Sequence, residues 1–196
     1  MSILDILKKA IMSEPVLKPQ FSVTDQKALT EEVLAKLPFD AIVAGGAARD
    51  WYYWTPAQDI DIYFNFEVTP AGLADMLEMV KVLDPSSAVE HRMYTDFSPN
   101  YAKAQYLNYV FSFAYQGLRF QFMNVNCNLD EVVAGFPVSC SKIEYKQGNI
   151  FKPSSEFLQC NDLKVVLVSK QYEKNHPYVE KIKERFKDKF KLYREM

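Results

Sequence analysis

Residues 40–66 read DAIVAGGAARDWYYWTPAQDIDIYFNF, and this stretch decides the fold that we predict. It opens with a short apolar run at residues 40–44, which is typical of a buried strand. The dipeptide Gly45-Gly46 predicts a turn, and residues 47–54 predict one or two helical turns. The strictly alternating pattern of residues 59–66 then predicts a strand with one apolar and one polar face.

Asp59 and Asp61 lie two positions apart in the alternating segment. Residues two apart on a strand point to the same face, about 6.6 Å apart at Cα, so the two carboxylates are expected to project side by side. Mg²⁺ prefers oxygen ligands and is commonly held by one or two carboxylates together with substrate phosphates. We therefore predict that Asp59 and Asp61 are catalytic residues that hold Mg²⁺ (or Mn²⁺) against a nucleoside triphosphate.

The glycine turn and the residues after it predict a nucleotide-binding loop. The backbone at Gly45 and Gly46 can approach a phosphate closely, because glycine has no side chain. Arg49 carries a planar fork of donors suited to a phosphate, and Asp50 could orient that fork or cap the helix. A P-loop is excluded, since none of the six glycines falls in a G-x-x-x-x-G-K-[S/T] pattern.

These residues together resemble the head-domain signature of the polymerase-beta-like nucleotidyltransferases, most closely that of bacterial tRNA CCA-adding enzymes and poly(A) polymerases. The signature runs Gly-Gly, two residues, Arg-Asp, about eight residues, Asp-x-Asp, and it covers only about residues 39–66 here. The resemblance implies that Gly45 and Gly46 form a triphosphate cradle. It also implies that Arg49 and Asp50 belong to the nucleotide site, and that Asp59 and Asp61 are the metal ligands. Short chains similar to this one also occur among bacteriophage proteins, which would place it in a host cytoplasm.

Three positions depart from the family's pattern. Trp54 stands where a glycine usually ends the short helix, and Gln58 stands where a basic residue often precedes the first aspartate. The family commonly supplies a third carboxylate from a later strand, and the matching position here is Gln121. An amide can hydrogen-bond a hydroxyl or a water, but it cannot serve as an anionic ligand or base.

The whole chain predicts one α+β unit in which helices flank a nucleotidyltransferase-type mixed sheet. Residues 1–38 predict two helices packed on the core, the second opening with a capping box at Ser22 and Asp25. Residues 39–160 form the predicted core, with later strands at residues 89–94, 109–115 and 118–125, the last two joined as a hairpin. Residues 161–196 predict a basic, mainly helical segment.

Composition and charge limit the classes of partner. The 196 residues are 48 % hydrophobic and carry a net charge of −2, which suits one sizeable core rather than a uniformly basic polyanion-binding protein. Residues 164–196 carry 10 Lys and Arg against 5 Asp and Glu, so this segment is expected either to guide an RNA backbone or to be a solvated helix face. The three cysteines fit no metal or disulfide pattern, and no apolar run approaches about 20 residues, so we expect a cytoplasmic protein without a membrane partner.

The sequence leaves three functions open. The leading hypothesis is an enzyme that transfers a nucleoside monophosphate from a nucleoside triphosphate, ATP favoured, to a hydroxyl of an RNA end, a protein or a small molecule. The alternative, motivated by Gln121, is a degenerate relative that binds nucleotide or a partner protein without turnover. A third is a small-molecule modifier of the antibiotic-adenylating kind.

Overall fold

The computed structural model describes residues 21–65, 74, 78, 80–83, 90–93, 107–170 and 177–195. The helices are α1 (Val23–Lys36), α2 (Gly46–Tyr52), α3 (Leu129–Ala134), α4 (Ser155–Leu163) and α5 (Pro177–Arg185), with a 3₁₀ turn at Ser139–Ser141. The strands are β1 (Ala41–Ala44), β2 (Ile60–Phe64), β3 (Glu90–Met93), β4 (Leu107–Tyr115), β5 (Leu118–Val125), β6 (Ile143–Lys146), β7 (Ile150–Pro153), β8 (Val165–Val168) and β9 (Leu192–Glu195). The first predicted helix, near the N-terminus, lies outside the described residues.

Seven strands form one mixed sheet in the order β3-β4-β5-β2-β1-β6-β7. Strands β2 and β5 are parallel, and the other neighbouring pairs are antiparallel. The order of elements between residues 41 and 64 is the predicted strand, turn, helix and strand. The prediction of an α+β fold built on a mixed sheet is confirmed.

The two faces of the sheet are covered by different helices, because side chains alternate along each strand. One face carries Ile60, Ile62 and Phe64 of β2 into a cluster with buried side chains of α1 and α2. The other face carries Tyr63 into a smaller cluster with Val132 and Val133 of α3. The period-two pattern of β2 therefore places its polar positions on the α3 side.

The predicted capping box at the start of α1 is confirmed. The Ser22 hydroxyl oxygen accepts from the backbone N–H of Asp25 at 3.1 Å, and the Asp25 carboxylate accepts from the backbone N–H of Ser22 at 3.1 Å. The helix ends at Lys36, two residues before Pro38, because proline disfavours helical geometry in the residue before it.

Residues 161–196 are less helical than predicted. Strands β8 and β9 pair in parallel as a second sheet, and the helical parts are the end of α4 and α5. The reason lies in Val165–Val168, whose β-branched residues favour a strand. The basic charge pattern of the segment, by contrast, is typical of a solvated helix face. The proposed boundary at residue 160 falls inside α4, where Cys160 shares one apolar cluster with β8 and α5.

No helix in the described part of the chain is long and apolar enough to cross a membrane.

Candidate active site

Asp59 and Asp61 stand at the start of the central strand β2. Asp59 directly precedes the strand, Asp61 is its second residue, and both are partly buried. Ile60 and Ile62 are 0 % exposed in the cluster on the opposite face, so alternation puts Asp61 on the α3 face, and Asp59, just before the strand, is close enough for its charge to act on Asp61. Burial, together with the negative charge of Asp59, raises the pKa of Asp61 to about 7. The site thus concentrates negative charge that a bound cation would stabilise.

Gln121 lies directly beside Asp61. The parallel register of β2 and β5 pairs Asp61 with Gln121, and paired residues of neighbouring strands share a face. On the other side of β5, Gln121 pairs with Ser112 of β4. A polar row therefore crosses three strands, and an amide occupies the position expected of a third carboxylate.

The donor set at this site fits Mg²⁺ with two protein ligands. Within the described ranges, no group of three or more His, Cys, Asp or Glu side chains is arranged to hold a metal ion. Two carboxylates suffice for Mg²⁺, which keeps several waters and takes oxygens from substrate phosphates. The charges of Arg119 and Lys181 partly oppose the rise in the pKa of Asp61, so two cations act on the same carboxylate.

Gly45 is required by packing as well as by backbone conformation. Its φ is +69°, a region that side chains rarely adopt, and a Cβ there would lie 2.7 Å from Cζ of Phe136. Its N–H donates to the Ile143 carbonyl at 3.3 Å and is not free for a phosphate. The Phe136 ring therefore fills the space over Gly45, which was predicted to lie against a ligand.

Gly46 is the open half of the glycine turn. A Cβ added there would have as its nearest neighbour Nη2 of Arg49 at 4.0 Å. Strand β1 leads into the turn, with Val43 opposite Ile62 in the antiparallel pair, so the turn runs past the Asp59–Asp61 end of β2. Gly46 is accordingly the better placed of the two glycines for a close approach to a phosphate.

Arg49 and Asp50 form a buried ion-pair network rather than an exposed phosphate fork. Their side chains are 4 % and 3 % exposed, and Nη2 of Arg49 lies 2.8 Å from Oδ1 of Asp50. Arg49 also donates to the hydroxyls of Ser141 at 2.9 Å and Tyr178 at 3.4 Å. Nη2 of Arg185 lies 2.7 Å from Oδ2 of Asp50. The geometry favours a role in joining α2 to α5, and direct contact with a nucleotide stays a prediction.

Burial still disfavours the charged form of the Asp50 carboxylate despite these partners. Burial raises its pKa, while the charges of Arg49, Arg185 and Lys181 act in the opposite direction. A buried carboxylate between two guanidinium groups depends on both of them, because each partner offsets part of the lost hydration.

The loop that leads into Asp59 is fixed at three successive residues. Nη2 of Arg185 donates to the Pro56 carbonyl at 2.9 Å. Gln26, which is 0 % exposed, binds both the N–H and the carbonyl of Ala57 at 2.8 Å. Nζ of Lys181 lies 3.2 Å from Oε1 of Gln58. Side chains from α1 and α5 thus hold the loop that positions the first carboxylate.

Sequence reasoning missed the three side chains that hold this loop. Gln26 does carry a signal, because it lies three residues after Val23 and seven before Val33 on the buried face of α1. A polar residue on such a face needs a buried partner. Lys181 and Arg185 lie at i and i+4, but that spacing alone does not reveal which segment they face.

The four aromatic residues at positions 51–54 have different surroundings. Trp51 is 2 % exposed, and its indole N–H donates to Gln26 at 2.8 Å. Tyr53 stacks on Phe157 with a centroid distance of 5.9 Å. Trp54 is 75 % exposed and has a φ of +56°. Packing therefore accounts for at least two of the four residues, while the Trp54 side chain is open to solvent.

Comparison with known proteins finds similarity in structure but not in sequence. No family model matches the chain, and no curated protein matches its sequence. Among solved structures, the Thermotoga maritima CCA-adding enzyme complexed with tRNA gives a TM-score of 0.55 at 12 % identity, covering 90 % of this chain and 41 % of that one. A CCA-adding enzyme complexed with ATP gives a TM-score of 0.51 at 12 % identity, covering 78 % of this chain and 35 % of that one.

A third structure, described as the apo form of a tRNA-processing enzyme, gives a TM-score of 0.50 at 15 % identity and covers 72 % of this chain and 36 % of that one. The chain spans about two fifths or less of the length of these proteins. At these identities the likeness establishes a shared fold, which is the one that the glycine turn and the paired aspartates predicted.

Proposed function

We propose that this chain is a nucleotidyltransferase that transfers a nucleoside monophosphate from a nucleoside triphosphate, ATP favoured, to a hydroxyl acceptor. The observation that carries the proposal is the position of Asp59 and Asp61 at the start of β2, beside the glycine turn. Burial, together with the negative charge of Asp59, raises the pKa of Asp61, and a bound cation would relieve this cost, which supports a cation-binding role. The fold shared with part of the CCA-adding enzymes supports the same class of reaction.

In this proposal Asp59 and Asp61 hold Mg²⁺. The bound ion would neutralise the triphosphate and favour loss of the acceptor hydroxyl's proton. Gly46 lets the chain approach the phosphates, and Arg119 contributes positive charge from the neighbouring strand. Arg49 and Asp50 act indirectly by fixing α2 and the loop before Asp59. The Gln121 amide can orient the acceptor hydroxyl or a water by a hydrogen bond.

The acceptor is a hydroxyl of an RNA, a protein or a small molecule. RNA is the first acceptor to test, because a solved protein with the same fold is complexed with tRNA. The basic residues of the C-terminal segment offer limited further support. Lys183 and Lys187 form ion pairs with Glu180 and Glu184 on their own helix or just after it, which is typical of a solvated face.

A second candidate is a protein that binds nucleotide without turnover. The register of β2 and β5 favours it, because the residue beside Asp61 is the neutral Gln121. A transferase without a third carboxylate has no anionic side chain there to accept the acceptor's proton. Binding of the triphosphate would survive, since two carboxylates and the phosphates still provide oxygen ligands.

The two candidates are separated by measuring pyrophosphate release from ATP with Mg²⁺ and a panel of acceptors containing RNA, protein and small-molecule hydroxyls. The transferase predicts release that depends on one acceptor and disappears in Asp61→Asn. Asp40→Asn is a matched control, because Asp40 is an exposed carboxylate outside the site. ATP binding without release by any acceptor would support the second candidate instead.

A further inference from the structure

Helix α5 presents two basic side chains, one turn apart, to the loop that precedes Asp59. Lys181 lies 3.2 Å from Oε1 of Gln58, and Arg185 lies 2.9 Å from the Pro56 carbonyl. The two residues are separated by four positions and so share a face of the helix. Val179 and Ile182 of α5, and Phe186 just after it, pack in the apolar cluster that also contains Cys160 and strand β8, which fixes where that basic face lies.

Lys181 and Arg185 differ in what remains available for a ligand. The Arg185 side chain is 20 % exposed and is committed to Asp50 and to the Pro56 carbonyl. Lys181 is exposed, and an ammonium group has three donors, of which the bond to Gln58 uses one. No acidic side chain among the described residues lies within 4 Å of Lys181, whereas Lys183 and Lys187 are paired with Glu180 and Glu184.

Lys181 stands next to the carboxylate site. Its ammonium group contacts the side chain of Gln58, and Gln58 directly precedes Asp59 in the chain. The loop itself contributes no positive charge at this point, because the residue before Asp59 is the neutral Gln58. Lys181 therefore brings to this loop, from a distant part of the chain, a cation that still has donors available for a ligand.

We propose that Lys181 is a phosphate-binding residue of this site, which contacts the triphosphate of the nucleotide held at Asp59 and Asp61. This inference rests on the proposed function. A cation beside two carboxylates suits a ligand that brings both a divalent ion and negatively charged oxygens, as a metal-bound triphosphate does. The C-terminal segment is then part of the nucleotide site, with Arg185 positioning the loop and Lys181 contacting the ligand.

The test is calorimetric titration with ATP plus Mg²⁺ and, separately, with inorganic tripolyphosphate plus Mg²⁺, which has no base. Lys181→Ala should weaken the binding of both ligands by about tenfold, which is the usual effect of losing a hydrogen bond to a charged group. Lys181→Ala combined with Gln58→Lys should restore most of the affinity, because the cation returns to the same edge of the site. Lys187→Ala is the matched control, since that lysine is 63 % exposed and paired with Glu184. All variants should melt close to the wild type.

The outcomes separate this inference from the proposed function. Wild-type protein that fails to bind either ligand would overturn both. Wild-type protein that binds, with Lys181→Ala unchanged, would overturn the inference and leave the function standing. The inference would also be overturned if Lys187→Ala weakened binding as much as Lys181→Ala did. The effect would then come from the net charge of the protein and not from a contact of Lys181 with the ligand.

Discussion

Gln121 of β5 lies beside Asp61 of β2 in the parallel register of the central strands, so an amide and a carboxylate share one face of the sheet. This pair decides how the site can act. In the proposed function the carboxylate is a metal ligand, whereas the amide can only donate and accept hydrogen bonds.

Replacing this amide by a carboxylate should strengthen the site. We expect Gln121→Glu to tighten Mg²⁺ binding and to raise the rate of pyrophosphate release, because a third anionic oxygen donor then lies beside Asp61. Gln159→Glu adds the same charge to the exposed face of α4 and serves as the control. The position is not a vacant ligand site if wild-type turnover is already fast and Gln121→Glu leaves it unchanged or lower.

Asp61→Asn should stabilise the metal-free protein at high pH. Burial and the charge of Asp59 raise the pKa of Asp61 in the folded protein to about 7, from an ordinary value of 3.8. The carboxyl group therefore contributes stability below about pH 4, and this contribution is lost as the pH rises through 7. At about 1.4 kcal/mol per pKa unit, the loss is a few kcal/mol at most.

Thermal melting with a chelator at pH 5 and pH 8 measures this effect. The advantage of Asp61→Asn over the wild type should be larger at pH 8, and added Mg²⁺ should raise the melting temperature of the wild type only. Equal differences between the two proteins at both pH values would contradict the raised pKa.

The two glycines of the turn should respond differently to alanine. Gly45→Ala places a Cβ 2.7 Å from the Phe136 ring at a φ of +69°, so we expect a loss of about 1–3 kcal/mol in the free energy of unfolding. Gly46→Ala meets nothing closer than 4.0 Å and should melt near the wild type while weakening ATP binding. Chemical denaturation of both variants checks this, and equal stability of the two would refute the assignment of Gly45 to packing.

Asp50→Asn should destabilise the fold. It leaves the guanidinium groups of Arg49 and Arg185 without their carboxylate, and breaking a buried ion pair on one side costs on the order of 3–5 kcal/mol. Asp188→Asn, at an exposed position after α5, should change stability by less than about 0.5 kcal/mol. A small effect of Asp50→Asn on denaturant unfolding would mean that the network is not structural.

The parts of the fold that could be predicted from the sequence are those with local signals. Period-two alternation located β2, the glycine pair located the turn, and Ser22 with Asp25 located the start of α1. Strand β8 was not predicted, although the three valines of its VVLV sequence are also a local signal for a strand. The basic charge of the segment indicated a solvated helix face instead.

The parts of the site that could not be predicted depend on contacts between distant residues. The pairing of Arg49 with the adjacent Asp50 could be expected, but nothing near Arg49 in the sequence indicates that Ser141 and Tyr178 also take up its donors. The contact of Lys181 with Gln58 spans 123 positions and needs the docked α5. Such pairings follow from tertiary packing, which spacing along the chain does not encode.

The most direct test of the central claim is calorimetric titration of ATP into wild-type protein and into Asp59→Asn and Asp61→Asn, each with Mg²⁺ and with chelator. We predict that the wild type binds ATP only with Mg²⁺ and that either substitution weakens this binding by at least about tenfold. Binding of the same strength without Mg²⁺, or binding that both variants retain, would contradict the assignment of Asp59 and Asp61 as the metal ligands of a nucleotide site.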